Sequence, residues 1–286
     1  MGRRLSSFLH RHPRLRLGLL LTPPLSWLLL AYLGSLAVLF VAAFWRLDPF
    51  TAEVVHDYGF QNFRLLWESD VYRAIAQRTV LIAAAVTVTD AVLAFPIAFY
   101  MAKVASPRTR NLLVVAILLP LWASYLVKVY AWRVILQEQG VLNWALSPLG
   151  LSGPGFGNVA TWLVFSYLWL PFMILPVYAG LERIPSSLLE ASADLGAHGG
   201  RTLRRIVFPL ALPAIAAGSI FTFSLTLGDY ITPALVSSTQ FIGNVVFINV
   251  GVANNLPFAA AFATVPVAVM VVYLLLARRA GAFDSL

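Results

Sequence analysis

The chain has 286 residues, of which 60% are hydrophobic and 11% charged, and its mean hydropathy is +0.81. These values exclude an ordinary water-soluble domain and indicate that the lipid bilayer is its solvent. The absence of cysteine excludes disulfides and thiolate chemistry, and the net charge of +8 is spread over the ends of apolar runs rather than gathered in a nucleic-acid-binding patch.

Six apolar runs along the chain predict membrane-spanning helices. Each is near or above the roughly 20 residues that cross about 30 Å of hydrocarbon as a helix. The predicted spans cover residues 17–45, 79–101, 111–127, 159–181, 206–228 and 256–277. The first follows five arginines and exceeds the apolar stretch of about 7 to 15 residues found in cleaved signals, so we expect it to be retained.

These spans divide the chain into a membrane core and short flanking segments. The predicted organisation is a basic tail at 1–16, a first transmembrane helix at 17–45, an external segment at 46–73, a core domain of five transmembrane helices at 74–280, and a tail at 281–286. The predicted fold class is therefore all-α, a polytopic membrane bundle of six transmembrane helices.

The distribution of lysine and arginine predicts the orientation of this bundle, because cytoplasmic loops retain positive charge. Fourteen of the 20 basic residues lie in the N-terminal tail, in the loops at 102–110 and 182–205, and at 278–279 directly after the last predicted span. We therefore expect both termini and these loops to be cytoplasmic, in a bacterial inner membrane. The charge-free stretch 240–255 is then external, as an ordinary loop or as a segment that dips into the membrane or packs on a partner.

The loop at 182–205 contains a predicted short helix. Ser187, with Glu190 three residues later, is typical of a capping box. Gly196 suits the left-handed position that ends a helix. The result is a helix of about two turns. It could lie among lipid headgroups or present its small apolar face to a cytoplasmic partner.

The spacing within this loop resembles the EAA signature of ABC importer permeases. That signature is matched by Glu190-Ala191-Ser192, three residues, Gly196, nine residues, and Ile206-Val207-Phe208-Pro209. Ser192 replaces an alanine of the signature and Phe208 replaces a leucine. Stretches at 169–178, 227–233 and 242–244 look like the first permease subunit of the spermidine/putrescine-type branch. The resemblance covers about residues 70–280, and relatives for opines, thiamine and iron share much of it.

The resemblance implies a type I ABC importer permease fold in which the loop at about 183–205 forms a coupling helix seated on a cytoplasmic ATPase dimer. The residues that match the coupling segment by position are Glu190, Ala191, Ser192, Asp194, Leu195, Gly196, Ile206 and Pro209. It also implies an extracytoplasmic solute-binding protein and a second homologous permease, with a close relative as the expected mate or a second copy as the alternative.

Energy supply is expected to come from a separate subunit. The 286 residues contain no G-x-x-x-x-G-K-[ST] phosphate loop, so this chain cannot bind and split ATP by that route. We therefore assign ATP and Mg²⁺ to the partner ATPase. For this chain itself we expect no cofactor, no metal and no catalysis.

Ionisable and aromatic residues near the spans predict a path for solute. A charged side chain costs at least about 2.5 kcal/mol at the bilayer centre, so Asp90 should face the bundle interior, as a pathway residue or as a hydrogen-bond anchor. Asp229 and Tyr230, at the outer end of the fifth span, suit a cationic amine by charge pairing and cation–π attraction. Tyr125 could join this path or anchor at the headgroups, and Lys128 beside it would repel a polyamine in the same channel.

The predicted function is a permease subunit of an ATP-driven importer, with a polyamine as the first candidate solute and an opine, thiamine or iron as the main alternative. An ion-driven secondary transporter should show two comparable halves with interrupted helices. An intramembrane enzyme needs a catalytic dyad or an H-E-x-x-H motif, and all four histidines lie outside the predicted spans. A passive scaffold would need neither the signature loop nor intramembrane carboxylates.

Overall fold

The computed structural model describes residues 13–279 and 281. The tails predicted at 1–16 and 281–286 lie largely outside the described residues. In chain order the α-helices are α1 Pro13–Trp27, α2 Gly34–Ala42, α3 Gln61–Glu68, α4 Asp70–Phe99, α5 Pro107–Trp122, α6 Tyr125–Leu136, α7 Val141–Leu146, α8 Asn158–Glu182, α9 Ser186–Asp194, α10 Gly199–Thr202, α11 Phe208–Gly228, α12 Ile231–Val236, α13 Ile242–Gly251 and α14 Leu256–Arg279.

Several shorter elements complete the described part of the chain. Three π-helical segments continue or precede long helices, at Leu28–Leu33, Tyr100–Val104 and Leu203–Val207. A 3₁₀ turn covers Ser147–Leu149. Strands β1, Arg46–Leu47, and β2, Val54–Val55, form one antiparallel ladder.

Five helical stretches in the described residues are long and apolar enough to cross a membrane. They run over Leu17–Ala42, Asp70–Val104, Asn158–Glu182, Gly199–Gly228 and Leu256–Arg279. The bent pair of α5 and α6 gives a sixth span if the two helices count as one. The polytopic all-α bundle predicted from the sequence is therefore confirmed.

The third predicted span, 111–127, is wrong as a single straight helix. α5 ends at Trp122, Ala123 and Ser124 have extended backbone angles, and α6 departs at 91° to α5. Pro120 lies in the last turn of α5, where its missing N–H weakens the helix. The residues on both sides of the break are apolar, so hydropathy does not reveal it.

Two connecting segments contain structure of their own. Residues 46–73 hold the β1–β2 ladder, in which Arg46 pairs with Val55, and helix α3. The charge-free stretch 240–255 forms α13, which packs on α14. This stretch therefore contains a helix that packs within the bundle, and the alternatives of a capping loop, a segment that dips into the membrane and a partner contact stay open.

α4, α8 and α11 form the centre of the bundle. A buried apolar cluster joins them near one end, and it includes Ala98, Met101, Leu181, Ile184 and Val207. These residues come from α4 and its π-helical extension, from the end of α8, and from the segment before α11. This end of the bundle therefore has a continuous core directly beside α9.

Small residues let α8 and α11 approach closely. A Cβ atom placed on Gly180 would overlap that of Ala214, and one placed on Gly218 would lie 2.8 Å from Sδ of Met173. Transmembrane helices associate through such contacts because lipid supplies little hydrophobic drive between them. The two spans that flank α9 in sequence are thus held together at glycine contacts.

Candidate functional site

Helix α9 joins two spans at one end of the bundle, and its C-terminus has a Schellman motif. The N–H of Ala197 donates to the carbonyl of Ser192 at 3.0 Å, and the N–H of Gly196 donates to the carbonyl of Ala193 at 2.8 Å. Gly196 has a φ of +74°, in the left-handed region that glycine adopts without a Cβ clash. The helix end predicted at Gly196 is confirmed.

The predicted capping box at the other end of α9 is wrong. The helix begins at Ser186 with Pro185 as its N-cap, so Ser187 lies inside the first turn, and no side chain caps this end. Pro185 has a ψ of 140°, and its carbonyl accepts from the N–H of Leu188 at 3.2 Å. The helix therefore begins two residues earlier than a cap at Ser187 would place it, and the side chain of Glu190 is exposed.

The surface of α9 combines acidic and apolar groups. Glu190, Ala191 and Asp194 are exposed, and Leu195, directly after the helix, is 88% exposed. Ser192 is buried, and its Oγ lies 2.8 Å from Oγ1 of the Thr202 side chain in α10. The position where the chain departs from the alanine of the EAA signature therefore carries a hydrogen bond that fixes α9 to the returning chain.

The last two predicted coupling residues lie beyond α9. Ile206 is half-buried in the π-helical segment Leu203–Val207, and Pro209 is exposed in the first turn of α11. A proline at this point has no N–H to donate, and a wider helical turn precedes it. Both residues thus shape the start of α11 and do not belong to α9 itself.

At the other end of α11, the Asp229 carboxylate connects two helices. Its Oδ1 accepts from the backbone N–H of Ile231 at 2.8 Å and of Thr232 at 3.0 Å. Its Oδ2 accepts from the hydroxyl of Tyr125 and from Oγ1 of Thr232 at 3.3 Å. Asp229 therefore caps α12 and ties it to α6. The structure brings together Asp229 and Tyr125, which are 104 residues apart.

A cavity of about 390 Å³ lies against this carboxylate. Its lining includes Tyr125, Trp169, Asp229 and Tyr230. The rings of Tyr125 and Trp169 stack with centroids 6.0 Å apart, and Tyr230 stacks on Phe247 at 4.5 Å. Aromatic faces beside a carboxylate can hold a cation by charge and quadrupole attraction. Trp169 is not among the site residues predicted from the sequence, although it begins one of the stretches that carry the family resemblance.

Asp90 lies apart from this cavity. It is 0% exposed on α4, so the interior-facing position predicted for it is confirmed, but it is not among the residues that line the cavity. It interacts with Ser166 of α8, yet neither its carboxylate oxygens nor the Ser166 hydroxyl has a hydrogen bond of normal geometry within the described residues. The four predicted pathway residues therefore form one cluster of three and one separate buried carboxylate.

The fold and these two features define a polytopic α-helical membrane transport protein, with an exposed helix at one end and an aromatic cavity at the other. Residues 94–282, more than half of the chain, match the family described as binding-protein-dependent transport system inner membrane component. The chain belongs to this family of ABC transporter permeases, and it is a multi-pass inner-membrane component.

Relatives of known name agree with this assignment. The chain is 47% identical over 299 residues to the inner membrane ABC transporter permease protein YdcU of Escherichia coli K12, with 99% of this chain and 95% of the relative covered. It is 30% identical over 207 residues to the spermidine/putrescine transport system permease protein PotB of Haemophilus influenzae, with 70% and 72% covered. The predicted resemblance to the spermidine/putrescine permeases is therefore confirmed.

Solved structures show the same fold. A bacterial ABC transporter that imports the acidic polysaccharide alginate matches with a TM-score of 0.71 at 20% identity, over 97% of this chain and 98% of that chain. The MetNI methionine ABC transporter matches with a TM-score of 0.58 at 16% identity, over 76% of this chain and 95% of that chain. The predicted type I importer permease fold is confirmed by these likenesses.

Proposed function

We propose that the chain is the translocating permease subunit of an ATP-driven importer, and that its EAA loop, residues 183–205, receives mechanical work from a cytoplasmic ATPase dimer. The observation that carries this proposal is α9, an exposed short helix with the signature spacing, ended by Gly196 and placed between two spans. Glu190, Ala191 and Leu195 supply the contact surface. ATP and Mg²⁺ are bound by the partner, because this chain has no phosphate loop.

The complete importer contains further subunits. A second homologous permease, a close relative of this chain, completes the solute pathway, since the five or six spans of the described residues enclose a poor conduit on their own. An extracytoplasmic solute-binding protein delivers the solute. The solved alginate transporter in complex with a solute-bound periplasmic protein, which shares this fold at a TM-score of 0.72, supports an assembly of this kind.

The proposed solute is a polyamine or a related small cation. Relatives named as spermidine/putrescine permeases support this class, as does the cavity beside Asp229, Tyr125, Tyr230 and Trp169. Both carboxylate oxygens of Asp229 already accept hydrogen bonds. Asp229 therefore attracts a cationic solute by its negative charge at short range, and not by accepting a hydrogen bond from it. Asp90, buried on α4, is the second carboxylate that we assign to the solute pathway.

Co-purification with the cognate ATPase tests the coupling role. Leu195→Asp places a charge at the most exposed apolar position of the EAA loop, and we expect ATPase recovery to fall at least tenfold. Leu151→Asp is the matched control, because Leu151 is 58% exposed and lies outside this loop. Equal recovery with Leu195→Asp and wild type would contradict the proposed docking.

Solute identity is tested with the whole importer in liposomes. Spermidine and putrescine, each presented with the solute-binding protein, should stimulate ATP hydrolysis and be taken up, and neutral compounds should not compete. Asp229→Asn should weaken polyamine uptake more than it weakens ATPase binding. Indifference to every polyamine, with a response to an opine, thiamine or iron, would replace this solute class with the alternative and leave the coupling role intact.

A further inference from the structure

A lysine holds the chain at the point where α8 passes into α9. Lys103 Nζ donates to the backbone carbonyl of Ile184 at 2.6 Å, although the two residues are 81 positions apart. Ile184 is buried, follows the last turn of α8, and directly precedes the proline that starts α9. Carbonyls at a helix C-terminus have no intrahelical partner, and a cation there is favourable.

Lys103 is itself positioned by its surroundings. It lies in the π-helical segment Tyr100–Val104 that extends α4, and it is half-buried. Arg110 donates through Nε to the carbonyl of Met101 at 3.1 Å and pairs through Nη1 with Glu182 at 3.4 Å. Arg110 and Glu182 are the charged groups that act on Lys103. We call Lys103, Arg110, Glu182 and the Ile184 carbonyl the polar clamp.

The polar clamp connects α9 to a span that is not its neighbour in sequence. By covalent connection, α9 can pull on α8 and α11. α4 contacts the same region through apolar residues such as Ala98 and Met101. Apolar contact is non-directional and permits sliding, whereas a hydrogen bond from an ammonium group to a carbonyl is directional. The clamp therefore fixes the end of α4 to the junction that moves with α9.

We propose that Lys103 is a positioning residue for energy coupling, which makes α4 follow the displacement of α9 when the ATPase closes. This inference rests on the proposed function of the EAA loop. It adds α4, the helix that carries Asp90, to the elements that the ATPase drives directly. The side chain of the second lysine, Lys128 on α6, makes no hydrogen bond or ion pair within the described residues, so Lys128 serves as a control.

The test follows helix motion in the assembled importer, and the absence of native cysteine allows labels to be placed freely. One pair of spin labels at Leu93→Cys and Val272→Cys reports α4 against α14. A second pair at Tyr167→Cys and Val272→Cys reports α8 against α14. All three positions are at least 42% exposed. Distances are compared with and without ATP, Mg²⁺ and vanadate.

In wild type we expect a nucleotide-dependent shift in both distances. In Lys103→Met, ATPase recovery and the α8 shift should persist while the α4 shift falls at least twofold. Lys103→Arg should restore the α4 shift, because a guanidinium can donate to the same carbonyl, and Lys128→Met should leave both shifts unchanged. If Lys103 only stabilised the structure, Lys103→Met would reduce the α4 shift and the α8 shift together.

Several results would overturn the inference. These are an unchanged α4 shift in Lys103→Met, an equal loss of both shifts, a loss of ATPase recovery, or a defect that Lys103→Arg does not restore. Failure of the proposed function is recognised separately, by normal ATPase recovery in Leu195→Asp. That variant lies outside the polar clamp.

Discussion

Gly196 ends α9, the proposed coupling helix, because its φ of +74° lies in the left-handed region. Gly196→Ala should destabilise this conformation by about 1 to 2 kcal/mol, since an L-residue with a Cβ is disfavoured there. We expect reduced ATPase recovery from the purified importer. Gly199→Ala is the matched control, because Gly199 has no positive φ and open space around its Cα. Equal effects of the two variants would show that the left-handed turn is unimportant.

The hydroxyl of Tyr125 holds the Asp229 carboxylate between α6 and α12. Tyr125→Phe should reduce the free energy of unfolding by about 1 to 3 kcal/mol, because a half-buried carboxylate loses one of its donors. Thermal unfolding in detergent measures the change. Adding Asp229→Asn should cost less in the Tyr125→Phe background than in wild type, since the two groups are coupled. Strict additivity would contradict the contact.

Single residues also show which features of the structure can be predicted from the local sequence. The end of α9 at Gly196 was predictable because the left-handed position has one strong chemical preference. The start of α9 differs from the prediction, because the N-cap is Pro185, with an extended ψ of 140°, and the spacing of Ser187 and Glu190 does not encode this. The bond between Asp229 and Tyr125 spans 104 residues, so a reading of either stretch alone cannot find it.

At the scale of elements, α8 and α11 approach each other closely at Gly180. Gly180→Ala would drive a Cβ into that of Ala214, and overpacking of this kind costs about 1 to 3 kcal/mol. Gly251→Ala, at the end of α13 with nothing within 4 Å, should change stability by less than about 1 kcal/mol. Thermal unfolding in detergent compares the two. If Gly180→Ala left thermal stability unchanged, α8 and α11 could move apart at this contact without a cost in stability, and the prediction would be wrong.

The elements differ in how far the sequence predicts them. The long spans follow from apolar runs of sufficient length, because a bilayer admits few other structures. The 91° break between α5 and α6 occurs where residues on both sides are apolar, and only Pro120 hints at it. The β1–β2 ladder is two residues long on each strand, too short to leave a periodic pattern.

At the scale of the whole molecule, the unequal distribution of basic residues predicts the orientation in the membrane. A membrane-impermeant maleimide applied to intact cells should label Phe50→Cys, which is 96% exposed between β1 and β2. It should label Ser187→Cys, in α9, only after permeabilisation. The cysteine-free wild-type chain gives the background. Labelling of Ser187→Cys in intact cells would invert the predicted topology.

The two candidate sites were unequally predictable for a physical reason. The residues of the predicted coupling segment lie close together in the sequence, so the spacing of the motif can be recognised without knowledge of the fold. The cavity is built from α6, α8, α11 and α12, and Trp169 joins it only through tertiary packing. Asp90 was predicted in the interior correctly, but its separation from Asp229 depends on the packing of α4 against α8.

Site-specific cross-linking between α9 and the ATPase tests the central claim most directly. A photoreactive maleimide on Leu195→Cys is activated in membranes that contain the whole importer, with Phe50→Cys as the control at the opposite end of the bundle. Transfer of work through the EAA loop predicts an ATPase adduct from Leu195→Cys whose yield changes with ATP and Mg²⁺, and none from Phe50→Cys. An adduct from neither position, or from Phe50→Cys alone, would contradict it.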